Sequence, residues 1–376
     1  MAFGIYVHWP FCAAKCPYCD FNSHVVSNVD QSRWAKALGS ELRRYASLTQ
    51  DNIVSSIYFG GGTPSLMEAS TVASVLGVIT KEWRLSNDIE ITLEANPTSF
   101  EAKRFKAYRD AGVNRLSVGV QALNDEDLSA LGRLHTASEA THAFEVARDI
   151  FPRISLDLIY ARQNQTLPQW SDELDRALEL AADHLSLYQL TIEDGTAFGA
   201  RHVAGKLRGL PHEDLAVDLY NLTTARCAEA GFEAYEVSNY ARPGAESRHN
   251  LVYWRGDAYL GVGPGAHGRI QLDGNWYATE GHKMPGQWIA AAEAGSGDCV
   301  NEAIPDLDRA EEQLMMRLRL AEGVPIDWTR RALGKDTLDR LRTLSEEGFI
   351  ELSSDRFSAT SDGRLVLNAV IERLLV

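Results

Sequence analysis

The chain has 376 residues, of which 45% are hydrophobic, and its formal net charge is −15 at pH 7. This length and composition predict a globular protein with a large core, built as two domains or as one large and one small domain. An acidic chain repels nucleic acids and anionic lipids, so the charge argues against a polyanion held by net electrostatic attraction.

The first residues do not resemble a secretion signal, and no stretch approaches the roughly 18 apolar residues of a membrane span. We therefore expect a cytoplasmic protein without an integral membrane segment. Three of the five cysteines lie between positions 12 and 19, whereas Cys227 and Cys299 stand alone. An odd count with this spacing fits reduced thiols better than a disulfide framework.

Short β-rich segments alternate with longer helical patterns through the first half of the chain. The predicted strands cover residues 4–8, 54–59, 89–95, 115–121, 154–160 and 184–190. The helical patterns between them cover residues 31–48, 68–83, 100–111, 138–150 and 167–182. This alternation predicts a parallel sheet with right-handed crossovers, either curled into a partial barrel or left open as a doubly wound sheet.

The pattern changes after residue 195, where loops with Gly and Pro surround "YEVSNYARPGAESRHNLVYW" and "YLGVGPGAHGR". We predict an α+β extension over residues 196–304, followed by a winged-helix-like domain over residues 305–376 that ends in a helix to Val376. The third helix of that domain, "KDTLDRLRTLSEEG", carries four acidic and three basic residues. This balance favours packing or partner contacts over DNA binding.

Cys12, Cys16 and Cys19 follow the first predicted strand within eight residues. Closely spaced thiolates hold zinc or an iron–sulfur cluster in a reducing cell, and both ordinarily take four ligands. Three cysteines would leave one iron of a cubane cluster open to a further ligand. A zinc site would need His8 or His24, and neither lies at the spacing of a zinc finger or ribbon. Unligated thiols are the third interpretation.

The spacing Cys12-x3-Cys16-x2-Cys19 directly after a first strand resembles the radical S-adenosylmethionine (SAM) superfamily. The resemblance implies a [4Fe-4S] cluster on the three cysteines, with the amine and carboxylate of SAM on the open iron. It also implies that one electron from the reduced cluster can cleave SAM to a deoxyadenosyl radical. The fold it implies is an α/β protein whose residues 1–195 form a partial (βα)6 radical SAM barrel.

The second predicted strand ends in "YFGGGTPS", where Gly60, Gly61 and Gly62 precede Thr63. Glycine lacks a Cβ atom, so the backbone can turn sharply there and approach a ligand closely. No Gly-Lys-Ser/Thr follows, which excludes a phosphate-binding loop of the Walker type. The resemblance implies that Gly61, Gly62 and Thr63 contact SAM, with a tight turn as the alternative.

Polar side chains fall at or near the carboxyl ends of the next strands, where parallel sheets place their sites. Glu94 ends the third strand, Gln121 ends the fourth and Asp157 lies in the fifth. Their groups suit ribose hydroxyls and the surroundings of a sulfonium, while Arg133 suits the carboxylate of SAM. Each alone is more simply a strand cap or loop hydrogen-bonder, and their convergence indicates the nucleoside site.

Two tyrosines flank the cysteines, Tyr6 in the first strand and Tyr18 between Cys16 and Cys19. Either ring could shield the cluster or stack on the adenine of SAM. Core packing is the alternative, since aromatic rings are often simply buried.

Phrases from end to end of the chain, among them "YVHWPFC", "LEANP", "LSLYQLTIEDGTAF" and "YLGVGPGAHG", resemble the family of oxygen-independent coproporphyrinogen III oxidase and its HemW-type haem-chaperone paralogues. The oxidases have the pattern CxxxCxxCxC, but Phe21 stands where their additional cysteine would be. The segment "HNLVYW", from His249 to Trp254, matches the HNxxYW pattern of the chaperones. The resemblance therefore favours a haem chaperone over an oxidase.

His249 of this segment offers an imidazole to haem iron, beside the flat rings of Tyr253 and Trp254. A hydrogen-bonded structural histidine is the alternative, and His267 in "GPGAHGR" is a rival ligand. Because handing over haem does not obviously need a radical, the resemblance implies that SAM and the cluster gate conformation or dimerisation.

One departure from the family lies after the fifth strand. The family usually continues into Gly-Leu-Pro, whereas Ala161, Arg162 and Gln163 stand here. The loss of Gly and Pro changes the preferred loop conformation close to the expected SAM site. The match at Asp157 is unaffected, and the effect on SAM binding stays open.

The leading hypothesis is a haem chaperone that delivers haem to a haem-protein client and takes electrons from a donor such as a flavodoxin or ferredoxin. The alternative is an enzyme that decarboxylates two propionates of coproporphyrinogen III. Its tetracarboxylate substrate should meet several arginines or lysines, and the sequence does not show that such residues converge. Radical SAM modification of RNA is a weaker hypothesis, because the chain is acidic and has no basic appended domain. No catalytic residue is assigned.

Overall fold

The computed structural model describes residues 2–375. Its strands are β1 (Phe3–Trp9), β2 (Phe11–Cys12), β3 (His24–Val25), β4 (Ile53–Gly61), β5 (Arg84–Ala95), β6 (Arg115–Gln121), β7 (Arg153–Tyr160), β8 (His184–Gln189), β9 (Glu233–Ala234), β10 (Asn239–Ala241), β11 (Ala258–Val262), β12 (His267–Leu272), β13 (Asn275–Gly281), β14 (Asp298–Ile304), β15 (Val324–Pro325), β16 (Ile350–Leu352) and β17 (Arg356–Ala359).

The helices are α1 (Gln31–Thr49), α2 (Ala69–Glu82), α3 (Ser99–Ala102), α4 (Phe105–Asp110), α5 (Asp125–Ala130), α6 (Ala137–Ile150), α7 (Leu167–Leu180), α8 (Ala197–Val203), α9 (Glu213–Glu229), α10 (Arg248–Trp254), α11 (Pro285–Ala294), α12 (Asp306–Arg317), α13 (Ile326–Leu333), α14 (Lys335–Glu346), α15 (Ser361–Leu365) and α16 (Leu367–Leu375). The predicted last helix includes Val376, which lies outside the described residues.

The predicted strands form the parallel centre of one large sheet, in the order β1-β4-β5-β6-β7-β8. Each strand pairs with the next in chain order, with Tyr6 beside Tyr58 on β1 and β4 and Gly119 beside Asp157 on β6 and β7. The sheet is open and does not close into a full barrel. The α/β prediction with a partial (βα)6 barrel is therefore confirmed.

The extension continues this sheet at both edges. Strand β11 pairs in parallel with β1 and leads into the antiparallel run β12-β13-β14, while β10 and β9 add antiparallel strands beside β8. Residues 196–304 thus place strands on both sides of the parallel centre. The domain boundaries at 195 and 304 stay predictions.

Threonine caps begin two of the crossover helices, α6 and α7. Thr136 and Thr166 each accept a hydrogen bond from the third backbone amide of their helix, and Glu139 and Gln169 bond back to complete capping boxes. The helix predicted over residues 100–111 is two helices, α3 and α4. The chain turns between them because Arg104 donates to the carbonyls of the β4–α2 loop and its own amide bonds Glu101 O at 2.8 Å.

The last segment has a core of its own, built from apolar side chains of α12, α14, α16 and the small sheet β15-β17-β16. Three helices followed by a hairpin give it the winged-helix-like form that the sequence predicts. Within residues 2–375, none of the helices combines the length and the apolar character that a membrane crossing needs.

Candidate functional site

The cysteine loop leaves the carboxyl end of β1 and is held at its base by aromatic packing. The rings of Trp9 and Phe11 meet Trp34 of α1 edge to face, at centroid distances of 5.8 and 5.1 Å. Trp34 in turn stacks on Trp288 of α11 at 5.4 Å. Aromatic pairs of this kind add to the stability gained from burial, so the loop starts from a rigid base.

The cysteine loop packs against the glycine run at the end of β4. Gly62 N donates to Trp9 O at 2.7 Å and Thr63 N donates to Phe11 O at 2.8 Å. A Cβ atom on Gly62 would lie 2.7 Å from Phe11 O, and one on Gly61 would lie 2.5 Å from the His8 ring. Gly61 also has a φ of 111°, a conformation that favours glycine. These glycines are needed for close packing of the loop on the strand.

The three thiols are free and half-buried. The Thr63 hydroxyl donates to Cys12 Sγ and Arg133 Nη1 donates to Cys16 Sγ, both at 3.5 Å. Burial raises the pKa of Cys12 and Cys19, so a cation must replace the proton when these thiols become ligands.

No three His, Cys, Asp or Glu side chains in residues 2–375 are arranged to hold a single metal ion. A cubane cluster spreads its cysteine ligands over separate irons, whereas one zinc ion gathers all of them. Three thiols on one loop would supply three of the four ligands of a cubane cluster and leave one iron for another ligand. When bound, such a cluster supplies an electron and an open iron.

Arg133 ties the cysteine loop to the carboxyl edge of the sheet. Its Nη2 donates to Asn96 Oδ1 at 2.5 Å and to Gly119 O at 3.0 Å, while Nη1 also reaches the Tyr18 hydroxyl at 3.5 Å. The guanidinium thus joins the ends of β5 and β6 to the loop. Its predicted contact with the SAM carboxylate stays a prediction.

Glu94 lies beside the glycine run. The Tyr58 hydroxyl donates to Glu94 Oε1 at 2.8 Å and Gly61 N donates to Oε2 at 3.2 Å. Burial raises the pKa of Glu94 to about 7, even though both hydrogen bonds favour the ionised form. The carboxyl group therefore changes its charge close to neutral pH.

Asp157 lies on β7, two strands away from Glu94 on β5. The hydroxyls of Ser155 and Ser117 donate to its two oxygens at 2.8 and 2.7 Å. Burial raises the pKa of Asp157, and the buried guanidinium of Arg115 acts in the opposite direction. The charge of Asp157 contributes to the raised pKa of Glu94, after burial.

Gln121 ends β6 with a φ of 73°, and a Cβ on Gly119 would lie 2.7 Å from its Nε2. The side chain therefore folds back over the strand end beside Arg133. Tyr6 bonds His8 Nδ1 through its hydroxyl at 3.0 Å, and the Tyr18 ring lies 6.5 Å from Phe198. Both tyrosines have packing partners, and their contacts with the cluster or adenine stay predictions.

His249 is buried, with 1% of its surface exposed. Its Nδ1 lies 2.9 Å from Ser56 Oγ and its Nε2 lies 2.7 Å from the Tyr253 hydroxyl. Burial lowers the pKa of this imidazole to about 3, so the ring is neutral. Binding to haem iron would require one of these hydrogen bonds to break, and this role stays a prediction.

The rival ligand, His267, has the opposite surroundings. Its side chain is 56% exposed and its Nε2 lies 3.9 Å from Glu280 Oε1. Strand β12 places it directly opposite Glu280 on β13.

The Ala161-Arg162-Gln163 departure produces a buried ion cluster. Ala161 has a φ of 57°, which is the conformation for which glycine is usual. The Arg162 guanidinium contacts Glu173 and lies 2.7 Å from Asp127 Oδ2, so it joins α7 to α5. The side chain thus holds two crossover helices together.

Several polar residues of this region were not identifiable from sequence: Tyr58, Asn96, Ser155, His184 and Tyr235. One signal was available, because Tyr58 lies two residues before Gly60 and hence on the same face of the strand. A Cβ on Gly60 would lie 2.9 Å from the Tyr58 ring and 2.8 Å from the Tyr6 ring.

The Radical SAM superfamily model matches residues 6–177, and the HemN C-terminal domain model matches residues 304–366. The first match contains the three cysteines, the glycine run, Glu94, Gln121, Arg133 and Asp157. Fold, site and match together define a radical SAM protein.

Curated relatives align over almost the whole chain. The protein named "Heme chaperone HemW" from Haemophilus influenzae is 37% identical over 99% of this chain and 97% of its own length. The protein of the same name from Escherichia coli is 36% identical over 99% of this chain and 98% of its own length. "Radical S-adenosyl methionine domain-containing protein 1, mitochondrial" from mouse is 42% identical over 85% of this chain and 74% of its own. The chain belongs to the HemW family of radical SAM proteins.

Among solved structures, coproporphyrinogen III oxidase (HemN) from Escherichia coli, described as a radical SAM enzyme, aligns with a TM-score of 0.83. It covers 100% of this chain and 90% of its own, at 22% identity. This likeness supports the fold, including the open sheet and the last domain.

Proposed function

We propose that this protein binds haem and delivers it to a haem-protein client, on a scaffold that carries a [4Fe-4S] cluster and SAM. The proposal is carried by the near full-length relationship to proteins named as haem chaperones, at 35–37% identity. Phe21 supports it, because the oxidase pattern has a cysteine there and Phe21 is instead 57% exposed.

In this proposal, the residues of the cluster site and the SAM site have separate roles. Cys12, Cys16 and Cys19 hold the cluster, and Arg133 donates to a cluster ligand. Backbone groups from Gly61 to Thr63 lie beside the place for the SAM amine. Glu94, Gln121 and Asp157 supply the hydrogen-bonding groups for its ribose.

Haem needs an apolar surface, a ligand for iron and cations for its propionates. We propose that the segment after Cys19 and the chain around β12 and β13 supply such groups, and we call them the haem face. Its members are Phe21, His24, His267, Lys283 and Met284. Phe21 and Met284 are exposed apolar side chains, while His267 and Lys283 flank the Glu280 carboxylate, with Lys283 Nζ at 3.4 Å.

Asn22 holds the two halves of the haem face together. Its Nδ2 donates to Lys283 O at 2.8 Å and to Pro264 O at 2.9 Å, and its Oδ1 lies 3.2 Å from His24 Nε2. These bonds join the segment after Cys19 to the loops around β12. We propose His267 as the iron ligand, because its ring is accessible whereas both nitrogens of His249 have partners.

The remaining partners are proposals of the same kind. The cluster requires an electron donor such as a flavodoxin or ferredoxin, and haem requires a client protein. We propose a cytoplasmic location, as the sequence predicts, although vertebrate relatives are named as mitochondrial.

The test uses full-length protein whose cluster is reconstituted without air, titrated with haem and followed by the Soret band. We expect one haem per chain, with affinity at least about tenfold lower in His267→Ala, which loses an iron ligand worth more than 1.4 kcal/mol. His142→Ala, which removes an exposed histidine on α6, is the matched control and should bind haem as the natural protein does.

The same protein is then given coproporphyrinogen III, SAM and a reductant. Steady formation of protoporphyrinogen would overturn the chaperone proposal in favour of the oxidase. Loss of haem binding in His249→Ala but not in His267→Ala would keep the chaperone and reject the haem face.

A further inference from the structure

The first turn of α10 carries two adjacent polar residues, His249 and Asn250, that reach into the interior of the sheet. Each begins a line of contacts through buried side chains. One line ends at Glu94 and the other at Asp157, the two carboxylates of the proposed SAM site.

The first line runs through a stacked pair of rings. His249 stacks on Tyr58, with centroids 5.0 Å apart and planes 23° apart. The Tyr58 hydroxyl donates to Glu94 Oε1 at 2.8 Å. The ring of Tyr6 also packs on Tyr58, and their centroids are 6.2 Å apart. The His249 ring therefore limits where Tyr58, and with it the Glu94 carboxylate, can lie.

The second line is a chain of hydrogen bonds. Asn250 Nδ2 donates to the Tyr235 hydroxyl at 3.3 Å, and that hydroxyl lies 2.9 Å from His184 Nε2. His184 Nδ1 lies 2.7 Å from Ser155 Oγ, which donates to Asp157 Oδ1 at 2.8 Å.

The donor and acceptor of each of these hydrogen bonds can be deduced from the bond between Ser155 and Asp157. Ser155 gives its only proton to Asp157, so His184 must donate through Nδ1 and accept through Nε2. The Tyr235 hydroxyl then donates to His184 and accepts from Asn250. All donors point toward the Asp157 carboxylate, an arrangement in which each bond polarises the next.

The start of α10 is itself fixed to the sheet. His249 N donates to Glu90 Oε1 on β5 at 3.3 Å, and Arg153 on β7 lies 3.5 Å from the other oxygen of Glu90. Ser247 caps the helix by accepting from Asn250 N at 3.3 Å. The two side chains therefore have a rigid base, as residues that orient others require.

We propose that His249 and Asn250 are positioning residues that orient Glu94 and Asp157 for SAM. The inference rests on the SAM site of the proposed function and is independent of haem. It gives the HNLVYW segment a role that needs no contact with either cofactor. Removing a hydrogen bond to a charged group weakens the position of that group, and a change further along the line should have a smaller effect.

The test measures SAM binding to the reconstituted, reduced protein by equilibrium dialysis and by the change that SAM causes in the cluster's paramagnetic resonance. We expect Tyr235→Phe and Asn250→Leu each to weaken SAM binding about tenfold, the equivalent of 1.4 kcal/mol. The double variant should be no weaker than either single one, because both changes interrupt the same line.

Tyr240→Phe is the matched control. Its hydroxyl is buried and lies 3.2 Å from Thr224 Oγ1, outside both lines, so SAM binding should not change. Tyr58→Phe tests the first line with a change of one oxygen atom, and carries the test should Asn250→Leu fail to fold.

Unchanged SAM affinity in Tyr235→Phe and Tyr58→Phe, or an equal loss in Tyr240→Phe, would overturn the inference. Additive losses in the double variant would also count against a single line. Failure of the proposed function looks different, because natural protein that binds SAM but no haem would reject the chaperone and leave this inference intact.

Discussion

At the residue scale, the ionisation of Glu94 makes SAM binding depend on pH. Burial sets its pKa at about 7, and the groups that face it are Tyr58 on β4, Asp157 on β7 and Arg115 on β6. The ionised carboxylate is the better acceptor for ribose hydroxyls, and it is lost as the pH falls through 7. We expect SAM affinity to be about tenfold lower at pH 6 than at pH 8, measured by equilibrium dialysis.

Glu94→Gln removes the titrating group and keeps the shape. In this variant SAM should bind more weakly than to the natural protein at pH 8, with little change between the two pH values. A pH dependence that survives in Glu94→Gln would assign the effect to another group.

Gly62 offers a second prediction at this scale. In Gly62→Ala the new methyl group meets the backbone of Phe11 at 2.7 Å, so the cysteine loop must move. Overpacking of this kind costs about 1–3 kcal/mol, and we expect less iron per chain and weaker cluster absorption after reconstitution.

Gly77→Ala is the control, because nothing lies within 4 Å of a Cβ there and the residue is inside α2. Alanine favours a helix over glycine, so this variant should take up iron normally and unfold at a slightly higher temperature. Equal iron content in both variants would contradict the claim that the cysteine loop must pack closely against Gly62.

The cysteines, the glycine run and the polar strand ends were predictable, because spacing and position along a strand are local properties. Tyr235 and His184 were not, since the contact between them joins segments that the sequence separates by 51 residues. The burial of His249 was equally hidden. A histidine followed by an asparagine gives no sequence signal that distinguishes an exposed ring from one that bonds Ser56 in the interior.

At the element scale, Arg162 determines how α5 and α7 are held after β7. In Arg162→Ala, Glu173 would remain buried without the cation that neutralises it, and breaking such a pair costs about 3–5 kcal/mol. We expect a clearly lower midpoint of urea denaturation, measured by circular dichroism.

The comparison for this change is Arg330→Ala, which removes an exposed ion pair with Asp327 inside α13. Exposed pairs of this type contribute about 0–1 kcal/mol, so the midpoint should hardly move. Similar midpoints for the two variants would show that Arg162 does not stabilise the helix pair.

The elements of the parallel centre were predictable because hydrophobic periodicity marks both strands and crossover helices. The positions of β9 to β14 were not, since short strands of the extension pair with whichever edge is open. The break between α3 and α4 depends on Arg104 reaching carbonyls of the β4–α2 loop, which no helical pattern records.

At the scale of the whole molecule, the last domain has the outline of a DNA-binding module without its charge. In α14, Arg342 lies 2.9 Å from Asp339, and Arg340 donates to Leu374 O at 3.0 Å. With these bases engaged and a net charge of −15, we expect no binding to duplex DNA at physiological salt in a fluorescence anisotropy titration. Salt-dependent binding at micromolar protein would contradict this prediction.

The position of β1 also bears on biogenesis. This strand is translated before both of its sheet neighbours, β4 and β11, and Asn22 bonds the backbone of Pro264 and Lys283. The cysteine loop can therefore reach its final seat only after most of the chain has been translated. Delivery of iron and sulfide to this protein is consequently a late step, and a nascent chain arrested before residue 258 would hold its thiols on an unfinished support.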